Sequence, residues 1–197
     1  MEIYLIRHGA TAGTQRGCFN GRIDDPLSEQ GKAALHPAQH CPSEVVVTPL
    51  QRTAQTAQIL FPGVPQRVDP GLREMNFGVF EGKNEQDLAG DAVYSRWLAS
   101  GCELPCPAGE QKAGFCARCC RAFAPLVTQA LQQGRTELTL VLHGGVLMAL
   151  MEGFARPQRD YFRWDTAPGT GFLLHTDAQG WNSTRRMDYD GPLDYTR

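Results

Sequence analysis

Two histidines in this chain follow directly on apolar runs, and glycine follows each of them. The two stretches are residues 3–6 leading into Arg7-His8-Gly9 and residues 137–142 leading into His143-Gly144-Gly145. Such runs are typical of buried strands, and open α/β sheets bind ligands beyond the carboxyl ends of their strands. An arginine there can bind a phosphate through two donors, and a histidine can act as nucleophile, base or metal ligand. The pattern predicts one pocket that holds both His8 and His143.

A third apolar run predicts a cation at the same edge of the sheet. Residues 45–47 are valines, Pro49 follows closely, and a helical pattern over 50–60 carries Arg52 in its first turn. The amides of a helix that follows a strand point toward the ligand edge and favour anions. Arg52 is therefore a candidate anion-binding residue beside those amides.

The segment 72–82 has neither helical nor strand periodicity and carries Glu74 and Glu81 among apolar residues. A loop carboxyl group buried in such surroundings has a raised pKa, which would allow it to deliver a proton to a leaving group. Either glutamate could fill that role on this evidence, and the alternative for both is a solvated loop carboxylate.

Length and composition restrict the class of protein. The 197 residues fit one domain, and a net charge of -2 argues against a nucleic-acid partner. No apolar run approaches the ~20 residues that span a bilayer, so no membrane partner is expected. The chain passes directly into a strand without a recognisable signal segment, so we expect a cytoplasmic protein.

Seven cysteines, five of them between residues 102 and 120, raise the possibility of a zinc site. The paired C-x-x-C arrangement of structural zinc sites is absent, however. Cys116, Cys119 and Cys120 have helical spacing among apolar residues, which is typical of a buried helix face. We therefore expect no bound metal, and a zinc-dependent protein is the alternative.

Strands that alternate with helical patterns indicate an α/β fold with a parallel sheet. No linker divides the chain. The other predicted elements are a loop over 12–25, a helix capped by Ser28, an edge strand over 66–69, short helices over 84–89 and 91–100, a long helix over 111–133, a helix over 146–154, and a hairpin of 171–175 with 181–188 around Gly180.

In order and spacing, these motifs resemble those of the histidine phosphatase superfamily, in its phosphoglycerate mutase-like branch. The resemblance is carried by Arg7-His8-Gly9, Gly21-Arg22 with Pro26-Leu27-Ser28, the run from Thr48 to Thr56, the segment 72–82 and His143. It implies a three-layer α/β/α sandwich whose mostly parallel central sheet has helices on both faces. It also implies a single domain over residues 1–197 with a small cap region at about 84–112.

The resemblance implies catalytic roles as well. His8 would be the nucleophile that becomes phosphorylated, with its second ring nitrogen donating to a backbone carbonyl such as that of Gly9. Glu74 would protonate the leaving group, and Glu81 would hold the loop. The phosphoryl oxygens would be held by Arg7, Arg52 and His143.

No cofactor is implied, and the substrate contacts implied are few. They are Thr14, Asn20, Gly21 and Gly144. Thr14 stands where many relatives have asparagine, and Met148 stands where many have arginine.

The implied partner is a small phosphorylated metabolite, and the chain would be a monomer or a homodimer. The compact length favours a hydrolase over a cofactor-dependent phosphoglycerate mutase. The segments 72–82 and 107–110 are most similar to those of α-ribazole phosphatases, which remove a 5′-phosphate during cobalamin nucleotide-loop assembly. Broad-specificity sugar-phosphate and phosphoserine phosphatases are the alternatives. A non-catalytic phospho-ligand binder is less favoured because all the core positions are intact.

Overall fold

The computed structural model describes residues 1–196 as one seven-stranded sheet with helices on both faces. The strands are Glu2–Arg7 (β1), Val45–Val47 (β2), Gln66–Val68 (β3), Glu137–Leu142 (β4), Ala155–Arg156 (β5), Thr170–His175 (β6) and Met187–Asp194 (β7). The helices are Ala12–Gln15 (α1), Glu29–Ala34 (α2), Gln51–Leu60 (α3), Ala92–Ala99 (α4), Lys112–Gln132 (α5), Gly144–Phe154 (α6) and Ala178–Thr184 (α7).

The strand order is β3-β2-β4-β1-β6-β7-β5. The first four strands in this order run parallel, whereas β6 is antiparallel to both β1 and β7. The predicted α/β/α sandwich with a mostly parallel sheet is confirmed. The predicted edge strand is also confirmed, since β3 forms one end of the sheet.

Alternating side chains of the central strands build two apolar cores, one on each face of the sheet. In β1, Leu5 belongs to the larger core and Ile6 to the smaller. In β4 the same alternation places Leu140 in the larger core and Val141 in the smaller. Helices α5, α6 and α7 contribute to the larger core, and α3 with the segments flanking α2 contributes to the smaller. Both faces of β1 and β4 are thus buried, as expected for central parallel strands.

Helix α5 explains part of the cysteine cluster. Cys119 is fully buried on the same stripe as Phe115 and Phe123, as its helical spacing predicts. Over residues 1–196, no three or more His, Cys, Asp or Glu side chains are grouped so that they could hold a metal ion.

Two expectations for local structure are wrong. Residues 178–184 form α7 rather than a hairpin strand, because the Asp177 side chain caps the helix by accepting from Gly180 N–H at 2.6 Å. The strands β6 and β7 do pair antiparallel, but α7 separates them in sequence. Residues 84–89 form turns rather than a helix, since Asn84 and Asp87 each accept the other's amide.

The predicted loop over 12–25 contains α1, a single turn of helix. A reciprocal pair of hydrogen bonds between Thr11 and Thr14 caps it. Helix α6 begins at Gly144, two residues earlier than predicted, so that His143 is its N-terminal cap residue.

None of the helices in residues 1–196 has the length and apolarity needed to cross a bilayer. The cytoplasmic location and the oligomeric state stay predictions.

Candidate active site

The pairing of β1 with β4 places the two strand-end histidines side by side. Arg7 lies opposite Leu142 in this parallel pair, so the next residues, His8 and His143, are neighbours. The His8 amide donates to the Leu142 carbonyl at 2.9 Å, which extends the ladder to the histidine itself. The two imidazole centroids are 5.3 Å apart, with ring planes inclined at 68°.

His8 is fixed in a single tautomer. Its Nδ1 lies 2.7 Å from the Gly9 carbonyl oxygen, which can only accept, so Nδ1 carries the hydrogen and Nε2 keeps its lone pair. The Gly9 amide in turn donates to Thr56 Oγ1 at 3.0 Å, which anchors this turn to α3. Burial, followed by the positive charge of Arg52, lowers the pKa of His8 well below its usual value. The ring is therefore a neutral imidazole with a free lone pair.

His143 is held between β2 and α3. Arg52 Nε donates to His143 Nδ1 at 3.3 Å, so the hydrogen lies on Nε2, which is 2.9 Å from Thr48 Oγ1. Thr48 is the residue that follows β2, and it reaches this position because β2 pairs with β4. Burial, followed by the charge of Arg52, also lowers the pKa of His143 well below its usual value.

Arg52 is almost completely buried, at 1% exposed. Its Nη1 donates to the Ile23 carbonyl at 2.7 Å, and its Nη2 donates to the Asn20 and Gly21 carbonyls at 3.0 and 3.3 Å. The guanidinium therefore fixes the loop 20–23 and presents Nε beside His143. Arg52 and His143 lie behind His8, outside the lining of the cavity described below.

Arg7 extends across the N-terminus of α6. A Cβ atom at Gly144 would lie 3.0 Å from Arg7 Cζ, so a side chain there would displace the guanidinium by a few tenths of an ångström. Its Nη1 bonds to Asp165 at 3.4 Å and to the Thr166 carbonyl. Its Nε is buried and has no hydrogen-bond partner among residues 1–196. An unsatisfied buried donor costs ~1–3 kcal/mol, so an anion oxygen there would be stabilised.

Glu74 approaches the same N-terminus from the loop. Its two carboxyl oxygens accept from the amides of Met75 and Gly145, each at 2.9 Å. Burial raises the pKa of Glu74, and it outweighs the opposing effect of these amides and of Arg52 and Arg7. Burial therefore makes the charged form of this carboxyl group less favourable than it is for an exposed glutamate.

Glu81 is a structural residue. It accepts from the amides of Gly21 and Arg22 at 3.1 and 3.0 Å, and from the Phe77 amide at 3.0 Å. Its carboxylate thus joins the loop 20–23 to the segment that carries Glu74, which agrees with the role expected for it.

Three of the four predicted substrate contacts line a common cavity: Thr14, Asn20 and Gly144. Gly21 does not line it, because its amide binds Glu81 and its carbonyl accepts from Arg52. The Thr14 hydroxyl takes part in capping α1, where its Oγ1 accepts from the Thr11 amide at 2.8 Å.

The cavity has a volume of about 280 Å³ and lies directly above His8. Arg7, His8, Glu74 and the α6 glycines form its floor. Its upper wall is mostly apolar and aromatic, and is made by Phe19, Met75, Phe77, Trp97, Leu98, Met148, Tyr161 and Phe162, with Cys18, Cys102, Lys112 and Asp165. An imidazole with a free lone pair, a carboxyl group with a raised pKa and a guanidinium therefore share one floor, and together they could support phosphoryl transfer to a histidine.

Several residues of the site were not predicted from the sequence. Tyr161 donates its hydroxyl to the Gly145 carbonyl at 3.2 Å, and Lys112 pairs with Glu103 while its Nζ lies 5.0 Å from the Phe162 ring centroid. No sequence signal marks Tyr161 or Lys112. Thr48 does have a sequence signal, because it follows a buried strand as the two histidines do.

Residues 3–188 match the family model described as the histidine phosphatase superfamily, branch 1. The chain belongs to this superfamily. The resemblance seen in the sequence is thereby confirmed, and with it the conclusion that the protein is a phosphatase.

Relatives within the superfamily carry different names. The chain is 31% identical over 160 residues to adenosylcobalamin/alpha-ribazole phosphatase of Salmonella typhimurium, covering 77% of this chain and 78% of the relative. It is 31% identical over 159 residues to a Hydrogenobacter thermophilus protein named "Putative phosphoserine phosphatase 2", covering 76% of each. The fold is similar to that of the alpha-ribazole phosphatase from Shigella flexneri, with a TM-score of 0.80, 21% identity, and coverage of 100% of this chain and 96% of the other.

We expect Gly145→Ala to disable the histidine phosphatase site. The added Cβ would lie 2.5 Å from Glu74 Oε1 and 3.1 Å from the Tyr161 hydroxyl, so the carboxyl must move. A displacement of about 1 Å can cost ~100-fold in rate, and we expect a loss of that order in kcat for β-glycerophosphate.

Gly114→Ala is the matched control, because a Cβ at Gly114 in α5 meets nothing within 4 Å. It should keep full turnover and raise the free energy of unfolding by ~0.5–1 kcal/mol. Turnover of Gly145→Ala at the wild-type rate, with both variants folded, would contradict this geometry.

Proposed function

We propose that this phosphatase hydrolyses phosphomonoesters through a phosphohistidine on His8. The observation that carries the proposal is that two buried side chains, His8 and Glu74, line one cavity, where burial disfavours the charged form of each. The pKa of His8 is lowered and that of Glu74 is raised. A neutral imidazole and a protonated carboxyl beside it are the reactive forms of a nucleophile and a general acid.

In the first step, the His8 Nε2 lone pair forms a bond to phosphorus and the ester P–O bond breaks. The leaving oxygen takes the proton of Glu74. In the second step, water attacks phosphorus, Glu74 takes a proton from that water, and the P–N bond breaks to release inorganic phosphate. Neutral His8 and protonated Glu74 are restored, so one water is consumed for each ester cleaved.

The transferring phosphoryl group spreads negative charge over three oxygens, so cations and amide donors around it lower the barrier. The Nε of Arg7 is a buried donor on the cavity floor without a partner in the described chain, and the N-terminus of α6 points at the same place. We assign the remaining phosphoryl contacts to Arg52 and His143. Arg52 Nε now donates to His143 Nδ1 at 3.3 Å, so in this assignment a phosphoryl oxygen would replace that hydrogen bond, and His143 would then carry a hydrogen on Nδ1.

For the substrate, we propose a small phosphorylated metabolite whose leaving group carries a planar aromatic base, and α-ribazole 5′-phosphate fits this description best. Aromatic side chains such as Trp97 and Phe77 line the cavity, and stacking on such rings favours a nucleoside-like ligand. The name of the Salmonella typhimurium relative points the same way. The cap region 84–112 supplies Trp97, Leu98, Cys102 and Lys112 to the wall, which supports its role in substrate choice.

We expect His8→Ala to abolish turnover of p-nitrophenyl phosphate and the acid-labile labelling of the protein by ³²P-phosphate from substrate. The variant removes the only protein atom that bonds to phosphorus in this scheme. His175→Ala is the control, since this exposed histidine pairs with Asp190 away from the cavity, and it should label as wild type does. Labelling that persists in His8→Ala would assign the nucleophile elsewhere.

Glu74→Gln should reduce kcat for the alkyl ester β-glycerophosphate far more than for p-nitrophenyl phosphate. General acid catalysis contributes ~10²–10⁴-fold, and a good leaving group needs little of it. Equal losses on the two esters would remove Glu74 from the role of acid.

The pH profile gives a second readout of the same variant. The acid form of Glu74 is needed, and its pKa is raised, so wild-type kcat for the alkyl ester should persist above the usual glutamate range and fall as pH rises through that pKa. Because the pKa of His8 is lowered, protonation of the nucleophile should reduce activity only well below the usual histidine range. In Glu74→Gln, kcat for the alkyl ester should no longer fall as pH rises through this range.

A phosphate-release screen should rank α-ribazole 5′-phosphate above phosphoserine, 3-phosphoglycerate and fructose bisphosphates in kcat/KM. A small polar ester leaves the aromatic wall without a partner, so its transition state is stabilised less. Preference for phosphoserine would favour the function named for the Hydrogenobacter thermophilus relative, and an even ranking would favour a broad-specificity phosphatase. If 3-phosphoglycerate is isomerised faster than any ester is hydrolysed, the proposal that the protein is a hydrolase is wrong. Binding of these esters without turnover would indicate a phospho-ligand binder.

A further inference from the structure

The segment that carries Glu74 lies between two short 3-10 turns, Pro70–Leu72 and Gly78–Phe80, and has no regular structure of its own. The histidines of the site are fixed by strand pairing, but Glu74 cannot be fixed in this way. Two charged residues bind the segment instead: Glu110, which lies just before α5, and Arg118, in the second turn of that helix.

Arg118 makes contacts with all three of its guanidinium nitrogens. Its Nε and Nη2 donate to the two carboxylate oxygens of Glu110, each at 2.9 Å, in a bidentate pair. Its Nη1 donates to the carbonyls of Gly71 and Arg73 at 2.9 and 3.0 Å, and Nη2 also reaches the Glu74 carbonyl at 3.4 Å. The guanidinium thus binds main-chain carbonyls between Gly71 and Glu74.

Glu110 binds the segment on the other side of the acid. Its Oε2 accepts from the Asn76 amide at 2.8 Å, and its own amide donates to the Asn76 carbonyl at 2.8 Å. Burial alone would raise the pKa of Glu110, but Arg118 and the Asn76 amide together hold that pKa below its usual range. The pair is therefore ionised, and it holds the chain on both sides of Glu74.

We infer that Arg118 and Glu110 are a positioning pair for the proton donor: by fixing the main chain of residues 71–76, they aim the Glu74 carboxyl at the leaving-group oxygen. The inference rests on the proposed function of Glu74. Neither residue lines the cavity, so both act through Glu74 rather than on the substrate.

A pair that only stabilised the fold would affect all substrates alike. A positioning pair has a different signature, because a shift of about 1 Å in a catalytic group can cost ~100-fold and only the step that uses that group is slowed. Loss of the pair should therefore resemble loss of the acid, with esters of poor leaving groups affected most.

The test compares Arg118→Met, Arg118→Lys and Glu110→Gln with wild type, using β-glycerophosphate and p-nitrophenyl phosphate. Methionine keeps an apolar side chain beside Phe115, whose ring centroid lies 5.2 Å from Arg118 Cζ. Lysine keeps the positive charge but lacks the planar guanidinium that forms the bidentate pair with Glu110. We expect Arg118→Met to lower kcat for β-glycerophosphate by ~10–100-fold and kcat for p-nitrophenyl phosphate by less than about threefold, with Arg118→Lys in between. Arg121→Met, an exposed arginine on the same helix, is the matched control and should change neither.

A double variant separates this inference from the proposed function. In the Glu74→Gln background, Arg118→Met should cost little more for either ester, because the group it positions is already gone. Full additivity, or equal losses on both esters in the single variants, overturns the inference while the acid role of Glu74 stands. Equal losses in Glu74→Gln itself overturn both.

Thermal unfolding of every variant shows whether it is folded at the assay temperature. If Arg118→Met is unfolded there, Arg118→Lys and Glu110→Gln carry the test through the same ratio of the two esters.

Discussion

The site depends on the register between β1 and β4. Leu5 lies opposite Leu140 and Ile6 opposite Val141, and these pairs belong to opposite cores. A slip of one residue would turn every side chain of one strand to the other face, so burial on both faces makes the register the only one that keeps both cores intact. His8 and His143 follow these pairs directly, so the proximity of the two imidazoles is a consequence of core packing.

Burial controls protonation as well as position. The same desolvation lowers the pKa of His8 and raises that of Glu74, because in each case it disfavours the charged form. Arg52 remains a buried cation because three main-chain carbonyls of residues 20–23 accept from it. The charge of Arg52 further lowers the pKa of His8. It also acts to lower the pKa of Glu74, but burial, which raises that pKa, is the larger cause.

The sequence predicted the site best where a reactive side chain directly follows a buried strand. The runs before His8 and His143 could be recognised from composition alone, and their neighbourhood followed from a parallel sheet. Glu74 could be preferred to Glu81 only by resemblance, since both lie in one irregular segment and only the fold shows which carboxyl faces the cavity. Tyr161 and Lys112 reach the cavity through contacts distant in sequence, which no local pattern encodes. Helix α7 was missed because Gly180 suggested a turn, whereas the Asp177 cap begins a helix there.

The two halves of the site are held by different kinds of structure. His8 and His143 follow directly on paired strands, where moving them would disrupt the sheet. The acid stands on an irregular segment that α5 holds through Arg118, and the same helix presents Lys112 to the cavity wall beside the cap. Changes in residues 97–112 and in the first turns of α5 can therefore alter the cavity wall and the position of Glu74 together, while His8 and His143 stay in place. A fold arranged in this way can keep one phosphoryl-transfer floor and serve different leaving groups, which agrees with the different names carried by relatives of equal similarity.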